Sequence, residues 1–217
     1  MPINPLETND LDDVETALGY TFKDRSLLTI ALTHQSYVNE HKDGLPLSNE
    51  RLEFLGDSIV GMVVADKIFN GAPELPEGDL TVRRSQVIRK ETLAAAARSI
   101  GLGDWLVMGT GEATSGGNLR DSNLADTFEA VTGAVYIDGG FSRASLLVNK
   151  WLGDYVNDAL RSETISASSS CSQNSSSRFE RLNSPEKRRF HAEPVLTELS
   201  AVLSFFFVRP NSVGSSS

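Results

Sequence analysis

Cysteine, histidine and long apolar runs are scarce in this chain of 217 residues. The single cysteine, Cys171, excludes an internal disulfide framework and any metal site built from several cysteines. No apolar run approaches the roughly 18 residues that are needed to cross a membrane. The N-terminal segment has neither a basic start nor an apolar stretch, so no signal peptide is expected. These absences favour a cytoplasmic protein with no membrane partner.

Basic residues are also fewer than acidic ones: the chain has 20 Lys and Arg and 29 Asp and Glu, which gives a formal charge of −9. An acidic balance argues against nucleic-acid partners, which favour basic surfaces, but the charge is uneven. Residues 1–161 hold 14 basic and 24 acidic side chains, whereas residues 162–217 hold 6 and 5, together with 16 serines. We therefore predict a folded domain over 1–161 and a low-complexity, Ser-rich, disordered tail over 162–217.

Apolar side chains recur at helical spacing over most of the first 161 residues, and strand-like alternation is nearly absent. The spacing predicts an all-α domain. Asp24, Ser48 and Ser122 are the expected N-caps of three of its helices. The six predicted helices span about residues 11–18, 24–32, 48–69, 76–99, 122–139 and 142–160, with a long glycine-rich loop at 106–121.

Five carboxylates fall at helical spacing on two of these predicted helices. Glu50, Glu53 and Asp57 lie within an arc of roughly 60° on one face, and Asp126 and Glu129 share a face of the fifth helix. Converging carboxylates repel one another unless cations neutralise them, and oxygen ligands without nearby His or Cys suit Mg²⁺ or Mn²⁺. The pattern fits two-metal hydrolysis of a phosphodiester, although a solvated acidic face has the same spacing and is commoner.

A longer string around these residues, NERLEFLGDS at 49–58, closely resembles the signature of the ribonuclease III family. Four further segments resemble that family in the same order, so that the resemblance covers about residues 8–160. They are LTHQSY at 32–37, PEGDLT at 76–81 with Arg84, SGG at 115–117 with Arg120, and LADTFEA at 124–130 followed by GA at 133–134 and DGG at 138–140. Gln35 stands where arginine is commoner in the family.

The resemblance implies an all-helical, homodimeric nuclease domain that acts on double-stranded RNA. It implies hydrolysis to 5′-phosphate and 3′-hydroxyl ends with short 3′ overhangs, and ribosomal RNA precursors and structured mRNA as substrates. The implied ion is Mg²⁺, for which Mn²⁺ can substitute, and no small-molecule cofactor is expected. The implied acidic residues are the metal ligands Glu53, Asp57, Asp126 and Glu129, of which Asp57 and Glu129 are also catalytic, and the supporting Glu50 and Glu77.

Several other positions have both a functional and a structural interpretation. His34 is more simply a hydrogen-bonded residue at a helix end than an RNA contact. Arg84 is either a partner for a carboxylate of the group or for phosphate, or a member of a surface salt bridge. Gly56 sits where a side chain would crowd a neighbouring helix or an ion. Phe54 is either an exposed aromatic for the dimer partner or an ordinary core residue. The candidate RNA contacts are His34, Gln35, Arg84, Ser115, Gly116, Gly117 and Arg120.

The resemblance stops near Arg161. Many bacterial members of the family carry a double-stranded RNA-binding domain next, but residues 162–217 show no recognisable first helix and no basic last helix. We hypothesise that this tail is a truncated, divergent or frame-shifted remnant. Two other functions stay open. A non-cleaving RNA-binding protein could keep the fold, but the complete carboxylate set argues against it. A di-metal oxidative bundle would need Glu-x-x-His pairs, which the sequence lacks.

Overall fold

The computed structural model of the chain describes residues 8–41 and 47–162, so all but the first residue of the predicted tail lies outside the described residues. Within these ranges the all-α prediction is confirmed, and the only extended pairing is a single bridge between Thr33 and Val107. None of the described helices has the length and apolar character to cross a membrane. The helices are α1 (Thr8–Leu18), α2 (Arg25–Ala31), α3 (Gln35–Glu40), α4 (Glu50–Gly71), α5 (Glu77–Val87), α6 (Lys90–Ile100), α7 (Thr110–Thr114), α8 (Asp121–Gly139) and α9 (Phe141–Arg161).

Two long helices, α4 and α8, pack against each other at the centre of the domain, and α9 packs on both of them. Helix α6 packs on the outer side of α8, and α2 also contacts α8. Most of the apolar residues that spacing assigned to the core of these helices are buried, because residues three and four apart share one helix face. They include Leu52, Ile59, Val60, Val63 and Val64 of α4 and Leu124, Phe128, Val131 and Val135 of α8. Leu27 of α2 and Leu55 of α4, which were also predicted to face inward, are only partly buried.

The predicted helix ends are confirmed at three positions where a local capping residue or glycine sets them. Gly19 follows α1 with φ of 72°, and Gly101 follows α6 with φ of 86°, in the left-handed region that glycine adopts without strain. Asp24 caps α2, because its carboxylate accepts a hydrogen bond from the backbone N–H of Ser26 at 3.0 Å. These three ends confirm the predictions made from the sequence.

The caps predicted at Ser48 and Ser122 are wrong. The residue that precedes α4 is Asn49, which is buried and whose backbone N–H donates to the carbonyl of Thr33 at 2.9 Å. Helix α8 begins at Asp121, one residue before Ser122. Asp121 forms an ion pair with an arginine of α6 and places a negative charge in the first turn of α8, where the helix dipole favours it.

The fourth predicted helix is in fact two helices, α5 and α6, separated at Ile88 and Arg89. Arg89 is extended, with φ of −67° and ψ of 150°, although no glycine or proline marks the break. The buried Arg83 of α5 donates hydrogen bonds to the carbonyls of Ala159 and Ser162 at the end of α9. Helix α5 packs mainly on α4 and α9, whereas α6 packs mainly on α8. The two halves of the predicted fourth helix therefore have different packing partners.

The glycine-rich loop predicted at residues 106–121 contains a short helix, α7, which the sequence did not indicate, and α3 was also missed. Hydrogen bonds join α3 to the start of α7. The Glu40 carboxylate accepts a hydrogen bond from the backbone N–H of Thr110 at 2.9 Å, which lowers the pKa of Glu40. The backbone N–H of Gly109 donates to the hydroxyl of Ser36 at 2.9 Å. These contacts order a segment that leads into α8.

Candidate metal centre

Helices α4 and α8 approach backbone to backbone at two buried glycines. A Cβ atom added at Gly56 would overlap the carbonyl oxygen of Glu129, and one added at Gly133 would overlap the carbonyl oxygen of Leu52. Helices that cross through larger side chains keep their axes about 8–10 Å apart, and the absence of a side chain allows a closer approach. Gly56 is therefore a helix-packing glycine, and the helix against which it packs carries Glu129.

The close approach brings three carboxylates together. Glu53 lies on α4, one turn before Gly56, and Asp126 and Glu129 lie one turn apart on α8. One carboxylate oxygen of each lies within 4.8 Å of the other two, and all three side chains are partly buried. In the part of the chain that the structure describes, this is the one group of His, Cys, Asp or Glu with such spacing. Oxygen donors alone suit a hard divalent cation.

Burial raises the pKa of all three carboxyl groups and is the largest cause for each, and repulsion by neighbouring carboxylates adds to the rise for Glu53 and Glu129. The pKa of Glu129 rises to about 8, with the negative charges of Asp57 and Asp126 as further causes. The charges of Asp126 and Glu50 raise the pKa of Glu53. A cation held between the three would stabilise their ionised forms and relieve the repulsion. The donor set and its electrostatics therefore fit a divalent metal ion.

Asp57 lies beside this group and is not a member of it. It follows Glu53 by one turn of α4 and is exposed to solvent. Its charge nevertheless raises the pKa of both Glu53 and Glu129, so it faces the same space. The ligand and catalytic roles that the resemblance implies for Asp57 stay predictions.

The two supporting carboxylates are exposed and make local hydrogen bonds. Glu50, the first residue of α4, accepts a hydrogen bond from the hydroxyl of Ser48 at 3.1 Å. Glu77, the first residue of α5, accepts one from the hydroxyl of Thr81 at 2.9 Å. Neither belongs to the group of three. Their supporting roles stay predictions.

The candidate RNA contacts of the early motif lie at the start of α3. His34 is the N-cap of this helix, because its Nδ1 atom accepts from the backbone N–H of Ser36 at 3.2 Å. His34 lies within electrostatic reach of Asp126, because positive charge on its ring opposes the rise in the pKa of Asp126. Gln35 donates to the side-chain oxygen of Asn39 at 2.9 Å. An RNA contact by either residue stays a prediction.

The candidate RNA-contact residues in the glycine-rich segment make contacts within the protein. Arg120 forms an ion pair with Glu112 at 2.6 Å and donates to the hydroxyl of Ser115 at 3.3 Å. Gly116 has φ of 76°, and Gly117 is buried against Glu112. These contacts give Arg120 a structural role in the segment before α8. The last candidate, on α5, is the exposed Arg84.

Glu112 is a positioning residue that no motif or spacing indicated. One oxygen of its carboxylate accepts hydrogen bonds from Arg120 and from the side-chain amide of Asn123, the latter at 2.8 Å. Asn123 is buried and also donates to the carbonyl of Gly117 at 3.0 Å. Glu112 thus fastens the glycine-rich segment to the first turn of α8, one turn before Asp126.

A second residue that the sequence did not indicate is Lys90, at the first position of α6. Its positive charge opposes the rise in the pKa of Glu53, Asp126 and Glu129. Periodicity placed this residue in the middle of one long helix and gave no reason to single it out. It is near the carboxylates only because the helix breaks just before it.

Within the described residues, the fold and the site together define a helical domain in which two central helices bring three carboxylates into an arrangement that fits a divalent metal ion. The family model described as Ribonuclease-III-like matches residues 24–155. The chain belongs to this ribonuclease-III-like family, and both central helices lie within the matched residues.

Individual relatives agree with this assignment. The chain is 51% identical over 143 residues to ribonuclease 3 of Symbiobacterium thermophilum, which is 66% of this chain and 60% of the relative. It is 44% identical over 151 residues to ribonuclease 3 of Pseudomonas aeruginosa, with coverages of 70% and 63%. The ribonuclease III nuclease domain of Campylobacter jejuni is similar in structure, with a TM-score of 0.62 and 35% identity, over 67% of this chain and 97% of that domain. The chain thus spans about three fifths of the length of the curated relatives it matches.

Proposed function

We propose that this chain is a metal-dependent endoribonuclease that cleaves double-stranded RNA. The observation that carries the proposal is the convergence of Glu53, Asp126 and Glu129 on two helices that cross through glycines. Similarity to proteins named ribonuclease 3 supports RNA as the substrate class. The carboxylate group supports hydrolysis of a phosphodiester as the reaction.

The ion that we propose is Mg²⁺, for which Mn²⁺ can substitute. Glu53, Asp126 and Glu129 would hold it, and a two-metal arrangement would draw on Asp57 as well. When bound, such ions activate a water molecule and stabilise negative charge on phosphate oxygens. The donor set supports this choice, because carboxylates without nitrogen or sulfur donors suit Mg²⁺ and Mn²⁺ rather than zinc.

The reaction that we propose is hydrolysis of each RNA strand. The oxygen of one water molecule adds to phosphorus, the bond from phosphorus to the 3′ oxygen breaks, and that oxygen takes up a proton. The products then carry 5′-phosphate and 3′-hydroxyl ends, and two offset sites in a dimer would leave short 3′ overhangs. Asp57 and Glu129 are the proposed catalytic residues. We propose ribosomal RNA precursors and structured mRNA in the cytoplasm as substrates.

Cleavage by the full chain is expected to require both a divalent ion and a duplex. An end-labelled RNA duplex should be cut in Mg²⁺ or Mn²⁺ and stay intact in EDTA, because the carboxylates alone repel the phosphate backbone. Gel analysis of the products, with and without phosphatase treatment, would identify their ends. The single strand of the same sequence is the control and should stay uncut. No products over a range of Mg²⁺ and Mn²⁺ would instead favour a non-cleaving RNA-binding protein.

An exposed apolar stripe on α4 supports a homodimer, which we propose as the working assembly. Phe54, Met62 and Phe69 lie within an arc of about 80° and are 79%, 61% and 66% exposed. Single exposed apolar residues are ordinary, whereas several along one helix mark an interaction surface. The similar domain of Campylobacter jejuni is described as having a region involved in dimer formation. A second copy of this chain is the partner that we propose for the stripe.

A Phe54→Ser change is expected to weaken the dimer. An aromatic residue at the centre of an interface commonly contributes about 2 kcal/mol or more, and the exposed Phe54 ring has no core packing to lose. Sedimentation equilibrium would measure the dissociation constant. The matched control is Leu146→Ser, which removes another exposed apolar side chain, on α9. Equal dissociation constants for the two variants would remove Phe54 from the interface.

We also propose that residues 1–161 form the nuclease domain and that residues 162–217 are a remnant of an RNA-binding domain. The last helix of the described residues, α9, ends at Arg161, and the described residues end at Ser162. Translating the gene in its other two frames beyond codon 162 tests the frame-shift version. A helix that resembles the start of such a domain in either frame would support it, and its absence from both would rule it out.

A further inference from the structure

Lys90 occupies a position where its charge is unfavourable for the helix that carries it. It is the first residue of α6 and follows Arg89, and neither side chain caps the helix. The N-terminus of a helix carries a partial positive charge, so a cation there is destabilising. A residue that breaks a local rule is a candidate for a functional role. The question is therefore what the Lys90 ammonium group faces.

The packing of α6 on α8 sets the answer. Arg98, in the last turn of α6, forms an ion pair with Asp121, the first residue of α8, and donates a hydrogen bond to the carbonyl of Leu119. The end of α6 thus meets the start of α8, and the two helices run in opposite directions. Lys90 precedes Arg98 by eight residues, about 12 Å along a helix axis. Glu129 follows Asp121 by the same number, so Lys90 lies level with Glu129.

The electrostatics agree with this geometry. The positive charge of Lys90 opposes the rise in the pKa of Glu53, of Asp126 and of Glu129, so the ammonium group lies within electrostatic reach of all three carboxylates. Within residues 8–41 and 47–162 no hydrogen bond joins the Lys90 ammonium group to another group, and no carboxylate oxygen lies within 4.0 Å of its nitrogen. The side chain is exposed. The ammonium group is therefore near the carboxylates and available to a ligand.

We propose that Lys90 is a phosphate-binding residue of the carboxylate site, whose ammonium group holds a non-bridging oxygen of the RNA phosphodiester at the position of cleavage. This inference rests on the proposed function, because it assigns a role in binding the same substrate. The need for such a group follows from charge. An anionic phosphodiester must approach Glu53, Asp57, Asp126 and Glu129, and a fixed cation beside them offsets part of that repulsion.

The chemistry of lysine suits this role. Its ammonium group carries three hydrogen-bond donors on a flexible stem and binds phosphate as a point charge. Negative charge spreads over the non-bridging oxygens of phosphorus as water attacks, and a donor aimed at one of them stabilises the transition state. Lys90 would supply that donor, while the three carboxylates hold the cation. The ammonium group and the carboxylates would then each act from a fixed position on neighbouring helices.

Cleavage of an RNA duplex by the Lys90→Met variant is the first test. Methionine keeps the unbranched stem and removes the charge, and kcat/KM is expected to fall about tenfold to a hundredfold, as for the loss of one transition-state donor. Lys90→Arg keeps the charge and should retain most of the activity. The matched control is Lys67→Met, at an exposed lysine of α4, which should cut like the wild type.

Binding of Mn²⁺ to the full chain without RNA is the second test, measured by isothermal titration calorimetry. The Lys90→Met change should tighten Mn²⁺ binding by about two- to tenfold, because the ammonium group no longer repels the cation. Slower cleavage together with kept or tightened Mn²⁺ binding would support the proposal. Slower cleavage with weakened Mn²⁺ binding would overturn it, since the change would then have damaged the carboxylate group.

The two proposals fail in different ways. If the wild-type chain cuts no duplex under any metal condition, the proposed function itself is wrong. If the wild-type chain cuts and Lys90→Met cuts with an unaltered kcat/KM, only the role of Lys90 is overturned.

Discussion

Replacing Glu129 by glutamine is expected to abolish cleavage of duplex RNA and, at the same time, to raise the thermal stability of the metal-free protein. Glutamine keeps the size of the side chain but does not ionise, so the group formed with Glu53 and Asp126 loses one anionic oxygen ligand. Losing a group that acts on the transition state lowers the rate by on the order of 10²- to 10³-fold. The initial rate of cleavage in excess Mg²⁺ is the measurement.

The gain in stability follows from the raised pKa of Glu129, which changes from 4.5 to about 8 on folding. Between these values the folded chain holds a proton that the unfolded chain has released. The metal-free protein therefore loses stability as the pH rises from 4.5 through 8. Glutamine does not titrate, so the variant escapes this loss. Its melting temperature in EDTA, measured by calorimetry, should exceed that of the wild type most above pH 8 and not at all below pH 4.5.

The matched control is Glu74→Gln, which makes the same chemical change at an exposed glutamate between α4 and α5. We expect it to alter neither the cleavage rate nor the pH dependence of melting. A Glu129→Gln variant that cuts at the wild-type rate would show that Glu129 is not in the site. A variant that melts below the wild type at pH 8 would show that the ionised carboxylate does not destabilise the fold.

The helices and their buried faces could be predicted because they depend on local spacing. Leu52, Ile59 and Val63 of α4 follow one another at spacings of seven and four residues and are buried. The same spacing placed Glu53 beside Glu50 and Asp57, and Asp126 beside Glu129, on single faces. Whether two such faces meet is decided by packing between helices. Spacing alone left that open, and the resemblance to ribonuclease III indicated it.

The parts that could not be predicted arise from contacts between distant segments. The break at Arg89 has no glycine or proline, and it lies where the main packing partner changes, from α4 and α9 for α5 to α8 for α6. Lys90 reaches the carboxylates only as a result of that break. Glu112 acts through hydrogen bonds to Arg120 and Asn123, which no periodicity relates to it. A motif search finds ligands more readily than it finds the residues that orient them.

The acidic charge of the chain takes on a different meaning beside this site. A formal charge of −9 suggested poor affinity for nucleic acid. Part of that charge belongs to Glu53, Asp126 and Glu129, whose repulsion a bound cation would offset. Overall charge is therefore a weak guide to the partner, because it counts metal-binding carboxylates as if they were free surface.

Replacing Gly56 by alanine is expected to disrupt both the fold and the site. The added Cβ atom would overlap the backbone carbonyl of Glu129, which cannot rotate away as a side chain can. The helices must therefore separate, and overpacking of this kind costs about 3 kcal/mol or more when backbone has to move. Separation also moves Glu53 away from Asp126 and Glu129, so Mn²⁺ binding should weaken together with stability. Urea unfolding and calorimetric Mn²⁺ titration would measure the two effects.

The control for Gly56→Ala is Gly153→Ala, at a glycine inside α9 where an added Cβ atom would meet nothing within 4 Å. Alanine is a better helix former than glycine by about 0.8–1 kcal/mol, so this variant should be slightly more stable than the wild type and should bind Mn²⁺ equally well. A loss of stability in Gly56→Ala and a gain in Gly153→Ala would distinguish the effect of close helix packing from that of helix propensity. If Gly56→Ala also unfolds at the wild-type urea concentration, the backbone contact between α4 and α8 does not set the geometry of the carboxylates.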